Sequence, residues 1–192
     1  MKEHSVSLFP FTISVLFFVC HGQAVRQYDV LLKEILRCRE SGTDEVRFTS
    51  TKLTKVSRHT FSYLSNLTLA ITLDDNISAV SDVEAWGNGG WRPSYFTQDT
   101  PHFCSGCKKL NPKWFHELIK NTGHDDCPIP PGIYEINAYN ISFIEFTFPL
   151  AASGKFRMIN SIFKQDVLVG CIGMVLDVSP KRSHSKKRHD LE

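Results

Sequence analysis

The C-terminal part of the chain, residues 127–178, combines strand-like patterns with cysteines, and this combination narrows the possible folds most. Segment 155–163 alternates apolar with polar side chains, and segment 132–148 reads as one long strand or two bent strands. Segment 167–178 is apolar on both faces. Alternation with a period of two is typical of strands with one buried face, and a doubly apolar strand is typical of a sheet centre. This part of the chain therefore predicts sheet strands that disulfides hold together.

A strand pattern of the same kind appears in the first half of the chain. Segment 61–73 carries apolar side chains on one face and polar side chains on the other. The apolar face comprises Phe61, Tyr63, Leu67, Leu69, Ile71 and Leu73. A turn at 74–76 leads to a return strand at 77–86, which 87–90 (GNGG) ends. Segment 91–96 follows as an aromatic-rich loop or the start of another strand.

Two segments depart from the period of two. Segment 25–39 has apolar residues at a spacing compatible with a short helix. Segment 111–120 predicts one short amphipathic helix, because Asn111 is a good N-cap and Pro112 suits the first helical position. The remaining short strands with turn signals indicate an all-β domain, either a sandwich or a barrel.

The two ends of the chain differ in composition from the part between them. Residues 1–22 have a basic start and a long apolar run, which together predict a secretory signal peptide and an extracellular, secreted protein. Residues 23–179 are long enough for one domain with a substantial core. Residues 180–192 carry five Lys or Arg side chains and few apolar residues, so we expect a disordered basic tail. The alternative for the tail is a patch that contacts anionic lipid or another polyanion.

The cysteines fit an oxidising compartment, where disulfides are expected. The chain has six, and removing Cys20 with the signal peptide leaves Cys38, Cys104, Cys107, Cys127 and Cys171. Since five is odd, one thiol must be unpaired or bonded to another chain. The CxxC formed by Cys104 and Cys107 has no second CxxC and no histidine pair at ligand spacing, so we expect no metal site.

Three glycosylation sequons fit the same compartment, at Asn66, Asn76 and Asn140. Each predicts an outward-facing position, because an attached glycan needs solvent. Asn66 lies on the polar face of the strand at 61–73, which agrees with that expectation.

Sequence signatures of an enzyme are missing. The chain has no GxSxG, P-loop, HExxH or GxGxxG motif. Asp125 and Asp126 beside His124 form an acidic pair, but their position predicts a solvated loop. We therefore expect a protein that is not an enzyme and needs no cofactor. The aromatic content, 14 Phe, 5 Tyr and 3 Trp, suits either an ordinary core or an apolar ligand pocket, and composition leaves both open.

Several short motifs resemble one known family in their order and spacing. They are Cys127-Pro followed by Gly132-Ile-Tyr, then 148–150 (FPL), 154–158 (GKFRM) and 170–172 (GCI). Together they resemble the C-terminal half of the ML (MD-2-related lipid-recognition) family, and most of all its ganglioside-activator branch and the related insect chemosensory-B-type secreted proteins. Cys38 is similar in position to that family's first mature cysteine. The resemblance spans roughly 38–178, and its specific part is 127–172.

The resemblance implies a β-sandwich of two antiparallel sheets, immunoglobulin-like, with an apolar cavity between them and one short helix. It implies disulfides Cys38–Cys171 and Cys107–Cys127, with Cys104 as the odd thiol and Cys104–Cys127 as the alternative. The chain lacks several cysteines of the ganglioside-activator branch, and this smaller set suits the chemosensory-type branch better.

The resemblance also implies a function, namely a secreted binding protein for lipids or other hydrophobic molecules. Such a protein acts in chemosensory perception in one branch and meets a membrane receptor in some members, with no nucleic-acid partner. Joined to the strand face at 61–73, the resemblance predicts a ligand site lined by Phe61, Tyr63, Leu67, Leu69 and Ile71, facing Phe146, Phe148, Phe156 and Met158. The alternative function is a secreted co-receptor or interaction module that has no small ligand and contacts a partner through 91–96.

Overall fold

The computed structural model of the protein describes residues 28–57, 60–142 and 153–180. Eight strands and two helices lie in these ranges. The strands are β1 Tyr28–Leu36, β2 Val46–Lys55, β3 Thr60–Leu69, β4 Ile77–Gly87, β5 Gly90–Thr100, β6 Gly132–Ser142, β7 Gly154–Lys164 and β8 Val167–Pro180. The helices are α1 Phe103–Leu110 and α2 Pro112–Asn121. The predicted signal peptide, the tail beyond residue 180, Phe146 and Phe148 lie outside the described residues.

The strands form two antiparallel layers that are joined at one corner. The hydrogen-bonded order is β5-β4-β7-β8-β2-β3-β6, with β1 paired to β8. β8 and β2 meet only at Gly170 and Val46, whereas the other neighbours pair antiparallel over most of their lengths. The order therefore divides into a layer of β1, β8, β7, β4 and β5 and a layer of β2, β3 and β6. This confirms the predicted antiparallel β-sandwich.

The inner faces of both layers supply the core. In β3 every second residue from Tyr63 to Leu69 is buried, and the residues between them are half-buried or exposed. The inner face of the other layer contributes Val83, Met158 and Leu176 to the same cluster. Between β4 and β5, the sequence 87–90 (GNGG) forms a two-residue hairpin, because Asn88 and Gly89 both adopt a positive φ.

The helix interpretation of 25–39 is wrong where the structure describes that segment, because β1 is a strand paired to β8. Val30 and Leu32 are buried with a period of two. A bulge between Leu32 and Glu34 then shifts the phase, and Ile35 faces inward again. The extra residue at the bulge reverses the side of the strand that later residues face. The apolar residues of the whole segment therefore have a spacing that resembles that of a helix.

The expectation of one helix is also corrected, because α1 precedes the predicted helix. Its sequence, FCSGCKKL, is poor in strong helix formers. Contacts from elsewhere hold it in place. The Asp75 carboxylate accepts hydrogen bonds from the Ser105 backbone N–H, at 2.8 Å, and from the Ser105 hydroxyl. Gly106 leaves room for Thr100, whose Cγ2 lies 2.3 Å from where a Cβ would stand.

Two disulfides lie in the described part of the chain. Cys38–Cys171 ties the segment after β1 to β8. The second joins Cys104 to Cys127, with a Cα–Cα distance of 6.2 Å, and leaves Cys107 as the free thiol. This corrects the expected Cys107–Cys127 pair and matches the alternative. The reason is the direction of the helix, since Cys104 in the first turn meets the segment before β6 whereas Cys107 lines the space between the layers.

Candidate functional site

A cavity of about 210 Å³ lies between the two layers. Each of the eight strands contributes inward-facing side chains to it, and α1 and α2 supply a helical wall. The strands contribute mainly apolar groups, among them Leu32, Phe48, Leu67, Val83, Ile136 and Met174. Strand alternation explains this lining, because side chains at every second position of both layers point at the same space.

The predicted ligand-binding residues fall into four groups. Tyr63, Leu67 and Met158 line the cavity. Leu69, Ile71 and Phe156 are buried in the core beyond the cavity lining. Phe61, at the start of β3, is half-buried and likewise not part of the lining. Phe146 and Phe148 lie outside the described residues. Alternation predicts which face of a strand points inward, but it does not show where along the strand the two layers separate.

Sequence reasoning missed the helical wall. Cys107, Leu110, Asn111, Trp114, Leu118 and Asn121 from the two helices all line the cavity. The apolar stripe of 111–120 contains Trp114 and Leu118 and was the available signal, since an amphipathic helix must lay that stripe on something apolar. Asn111 does not cap α2 with its side chain, and its buried Oδ1 has no hydrogen-bond partner among the residues that the structure describes.

A row of polar side chains crosses the inner face of the larger layer. Gln98, Ser81 and Asn160 stand opposite one another on β5, β4 and β7, and all three line the cavity. The Ser81 hydroxyl donates to Asn160 Oδ1 at 2.7 Å, and Asn160 Nδ2 donates to the carbonyl of Ile172 on β8 at 3.3 Å. We call Gln98, Ser81 and Asn160 the polar row. No pattern in the sequence indicated it.

The cavity is electrostatically neutral. None of the described residues that line it carries a formal charge. Burial raises the pKa of the Cys107 thiol to about 12, and the Asp75 carboxylate adds to the rise. Burial also raises the pKa of Tyr63, although hydrogen bonds to Ser65 and Thr51 act in the opposite direction. Both shifts have the same cause, because an interior poor in water disfavours the anionic form of an acid.

The predicted glycosylation positions lie in different settings. Asn76 is exposed in the turn before β4, where its side chain donates to the Asp74 carboxylate at 3.0 Å. Asn66 lies on the outer face of β3 and is half-buried. The side chain of Asn140, in β6, is outside the described part. The three sequons remain predictions.

Segment 91–96 belongs to β5 and forms an exposed aromatic and basic surface with its neighbours. Trp86 and Trp91 pack edge to face with ring centroids 5.1 Å apart. Lys155 Nζ lies 5.7 Å from each ring, and Arg157 lies 4.8 Å above Trp91 while pairing with Glu84. Trp86 is 48% exposed. Tyr95 is also exposed, but its ring packs against Phe156, with centroids 5.5 Å apart. We call Trp86, Trp91 and Lys155 the aromatic surface.

Within residues 28–57, 60–142 and 153–180, no three histidine, cysteine, aspartate or glutamate side chains come together as a metal site. Neither described helix is long and apolar enough to cross a membrane.

The comparisons with known proteins add little to this geometry. No family model matches the chain, and the comparison with curated proteins gives no match either. Among solved structures, the chain is similar to chicken MD-1 in complex with lipid IVa, at 12% identity and a TM-score of 0.36. The alignment covers 79% of this chain and 97% of that one. An identity and a TM-score this low assign neither a family nor a ligand to the chain. The candidate binding site is therefore supported by the cavity alone.

Proposed function

We propose that the protein binds an apolar small molecule in the cavity between its layers and carries it outside the cell. The observation that supports this proposal is the uncharged, mainly apolar cavity of about 210 Å³. A fully enclosed void of this size would cost on the order of 5 kcal/mol in lost packing, and a partly open one still gives up packing contacts that a filled core would make. A fold that keeps such a void is therefore better explained by a ligand than by stability.

The size of the cavity limits the ligand. An apolar cavity of about 150 Å³ holds a benzene molecule, and drug-sized pockets span about 300–1,000 Å³. The 210 Å³ present here suits a single hydrocarbon chain or one small ring system better than a lipid with several acyl chains. Each buried methylene contributes about 0.8 kcal/mol, so one medium-length chain supplies ample driving force before the association costs are subtracted.

Two variants of Met158 test the proposal with N-phenylnaphthylamine, a probe that fluoresces in apolar surroundings. Met158→Lys places a charge in the cavity and should abolish probe binding, and Met158→Trp should fill the cavity and also abolish it. The matched control is Ile133→Lys, which adds the same charge at a side chain that is 75% exposed, and it should bind like the wild type. Wild-type affinity in both folded Met158 variants, or no binding by the wild type, would refute the proposal.

The aromatic surface favours a second candidate function, contact with a protein partner. Tryptophan side chains and a cation held over their rings are typical of the central residues of interfaces. Native mass spectrometry after organic extraction separates the two functions, because a carrier releases a co-purified small molecule whereas a pure interaction module does not. The roles in secretion and chemosensory perception, and any membrane receptor, stay predictions from the signal peptide and the family resemblance.

A further inference from the structure

The polar row is set within apolar surroundings. Two residues further along the strands, the neighbouring row of inward-facing side chains consists of Val83, Phe96 and Met158. On the other side Ala79, Thr100 and Ile162 occupy the equivalent positions. Residues two apart in a strand are about 7 Å apart, so apolar groups flank the polar row on one side, and a mainly apolar row that includes the buried Thr100 flanks it on the other. Along this layer, a molecule in the cavity meets hydrocarbon, then the polar row, then a row in which Thr100 is the one polar side chain.

The internal hydrogen bonds of the polar row leave capacity for a ligand. Ser81 uses its one O–H on Asn160, and its oxygen keeps a lone pair. Asn160 Nδ2 has two N–H groups, and one donates to the Ile172 carbonyl. Gln98 donates through Nε2 to the Asp99 carbonyl at 2.8 Å, and its Oε1 is an additional acceptor. The polar row therefore offers both a donor and acceptors, and a hydroxyl group is the small neutral function that uses both.

Stability gives no reason to keep this row. Replacing two hydrogen-bonded side chains by apolar groups of the same shape can be nearly neutral or stabilising. The row also lies against a cavity that holds no charged side chain among its described lining residues, so a carboxylate bound there would lose its hydration without gaining a cation.

We propose that Gln98, Ser81 and Asn160 form a subsite for an uncharged hydroxyl group on an otherwise apolar ligand. This inference rests on the proposed function and adds the chemical class, namely an alcohol rather than a fatty-acid anion or a plain hydrocarbon.

Competition against N-phenylnaphthylamine at neutral pH tests the class with three compounds. Decanol and methyl nonyl ether are isomers that differ in the O–H donor, and decanoic acid is an anion at that pH. Decanol should bind about fivefold more tightly than the ether, because one net hydrogen bond is worth about that factor. Decanoate should bind more than tenfold more weakly than decanol.

The variant Ser81→Ala/Asn160→Leu should remove the preference for decanol and leave affinity for the ether within about twofold. Its unfolding temperature without ligand should equal or exceed that of the wild type. Ser81→Ala/Asn160→Ala, which removes the same groups with smaller side chains, carries the test if the first double variant does not fold. The matched control is Thr97→Val, which removes a 2.7 Å hydrogen bond to Asp82 between β5 and β4 on the exposed face of the same layer, and it should keep the preference.

Two results overturn the inference while the proposed function stands: equal affinity of the wild type for decanol and the ether, or a preference that survives in the folded variants. A wild type that binds neither N-phenylnaphthylamine nor any of the three compounds refutes the proposed function, and the inference falls with it.

Discussion

Cys104 and Cys107 lie nearly one helical turn apart in α1, yet only Cys104 is bonded to Cys127. Cys104 is buried at the start of the helix, near the segment that leads to β6. Cys107 lines the cavity, and burial there raises the pKa of its thiol to about 12. Because the thiolate is the reactive form, the free cysteine is protected by the same environment that forms the binding site.

We expect Cys107 to react with iodoacetamide on the order of 100-fold to 1,000-fold more slowly than a free cysteine at neutral pH, and at the ordinary rate after unfolding in denaturant. Peptide mapping after labelling in denaturant, without reductant, should find the label on Cys107 and a Cys104–Cys127 linked pair. A label on Cys104 would show that the other pairing forms. Cys107 is half-buried, so fast labelling of the native protein would show that the pKa of its thiol is not raised.

At the scale of an element, α1 depends on a residue from a distant turn. His102 at its N-cap makes no capping hydrogen bond with its side chain. Asp75 supplies the missing acceptor by binding Ser105 through both backbone and side chain, and these bonds lower the pKa of the Asp75 carboxyl below its usual 3.8. A carboxylate near the first turn also interacts favourably with the helix dipole.

The loss of a helix cap usually lowers the free energy of unfolding by about 0.5–2 kcal/mol. Because Asp75 is exposed, Asp75→Ala should lie in the lower part of this range, at about 1 kcal/mol or less. A pKa lowered by folding means that the carboxylate stabilises the fold above its usual pKa of 3.8 and ceases to do so as the pH falls through the folded-state value. Urea unfolding should therefore show the difference from wild type at neutral pH and none in strong acid.

Asp125→Ala, at an exposed loop position after α2, is the control for this experiment and should change the unfolding midpoint little at either pH. A difference between Asp75→Ala and the wild type that persists unchanged in strong acid would show that the carboxylate is not its source.

At the scale of the whole molecule, Gly170 joins the two layers. It forms the one residue pair between β8 and β2, and a Cβ built on it would stand 2.3 Å from the Val46 carbonyl oxygen. Only glycine allows the backbones to approach so closely without a shift. The close approach of the two layers at this corner therefore depends on the absence of a side chain at residue 170.

Gly170→Ala should lower the free energy of unfolding by about 1–3 kcal/mol, the usual cost of forcing atoms into a packed interior. Gly90→Ala is the matched control, because a Cβ there meets nothing within 4 Å, and it should be neutral within about 0.5 kcal/mol. Chemical denaturation of both variants measures the difference. Equal stability of Gly170→Ala and wild type would mean that the two layers are not held at this pair.

The sequence alone determined the strands whose pattern is local. Segments 61–73, 77–86 and 155–163 correspond largely to β3, β4 and β7, because a face that must be buried imposes a period of two on the residues themselves. The helix at 111–120 and the turn at 87–90 were also predictable, since Pro112 and the Asn88-Gly89 pair act through their own backbone preferences.

Only the tertiary structure decided the features that depend on distant partners. β1 is a strand because β8 pairs with it, and α1 is a helix because Asp75 and Cys127 hold it. The polar row exists only where three strands lie in register, so no local pattern predicts it. Alternation predicts that Leu69 and Phe156 face inward, but it does not predict that they lie in the core beyond the cavity lining. The place where the two layers separate along a strand depends on both layers together.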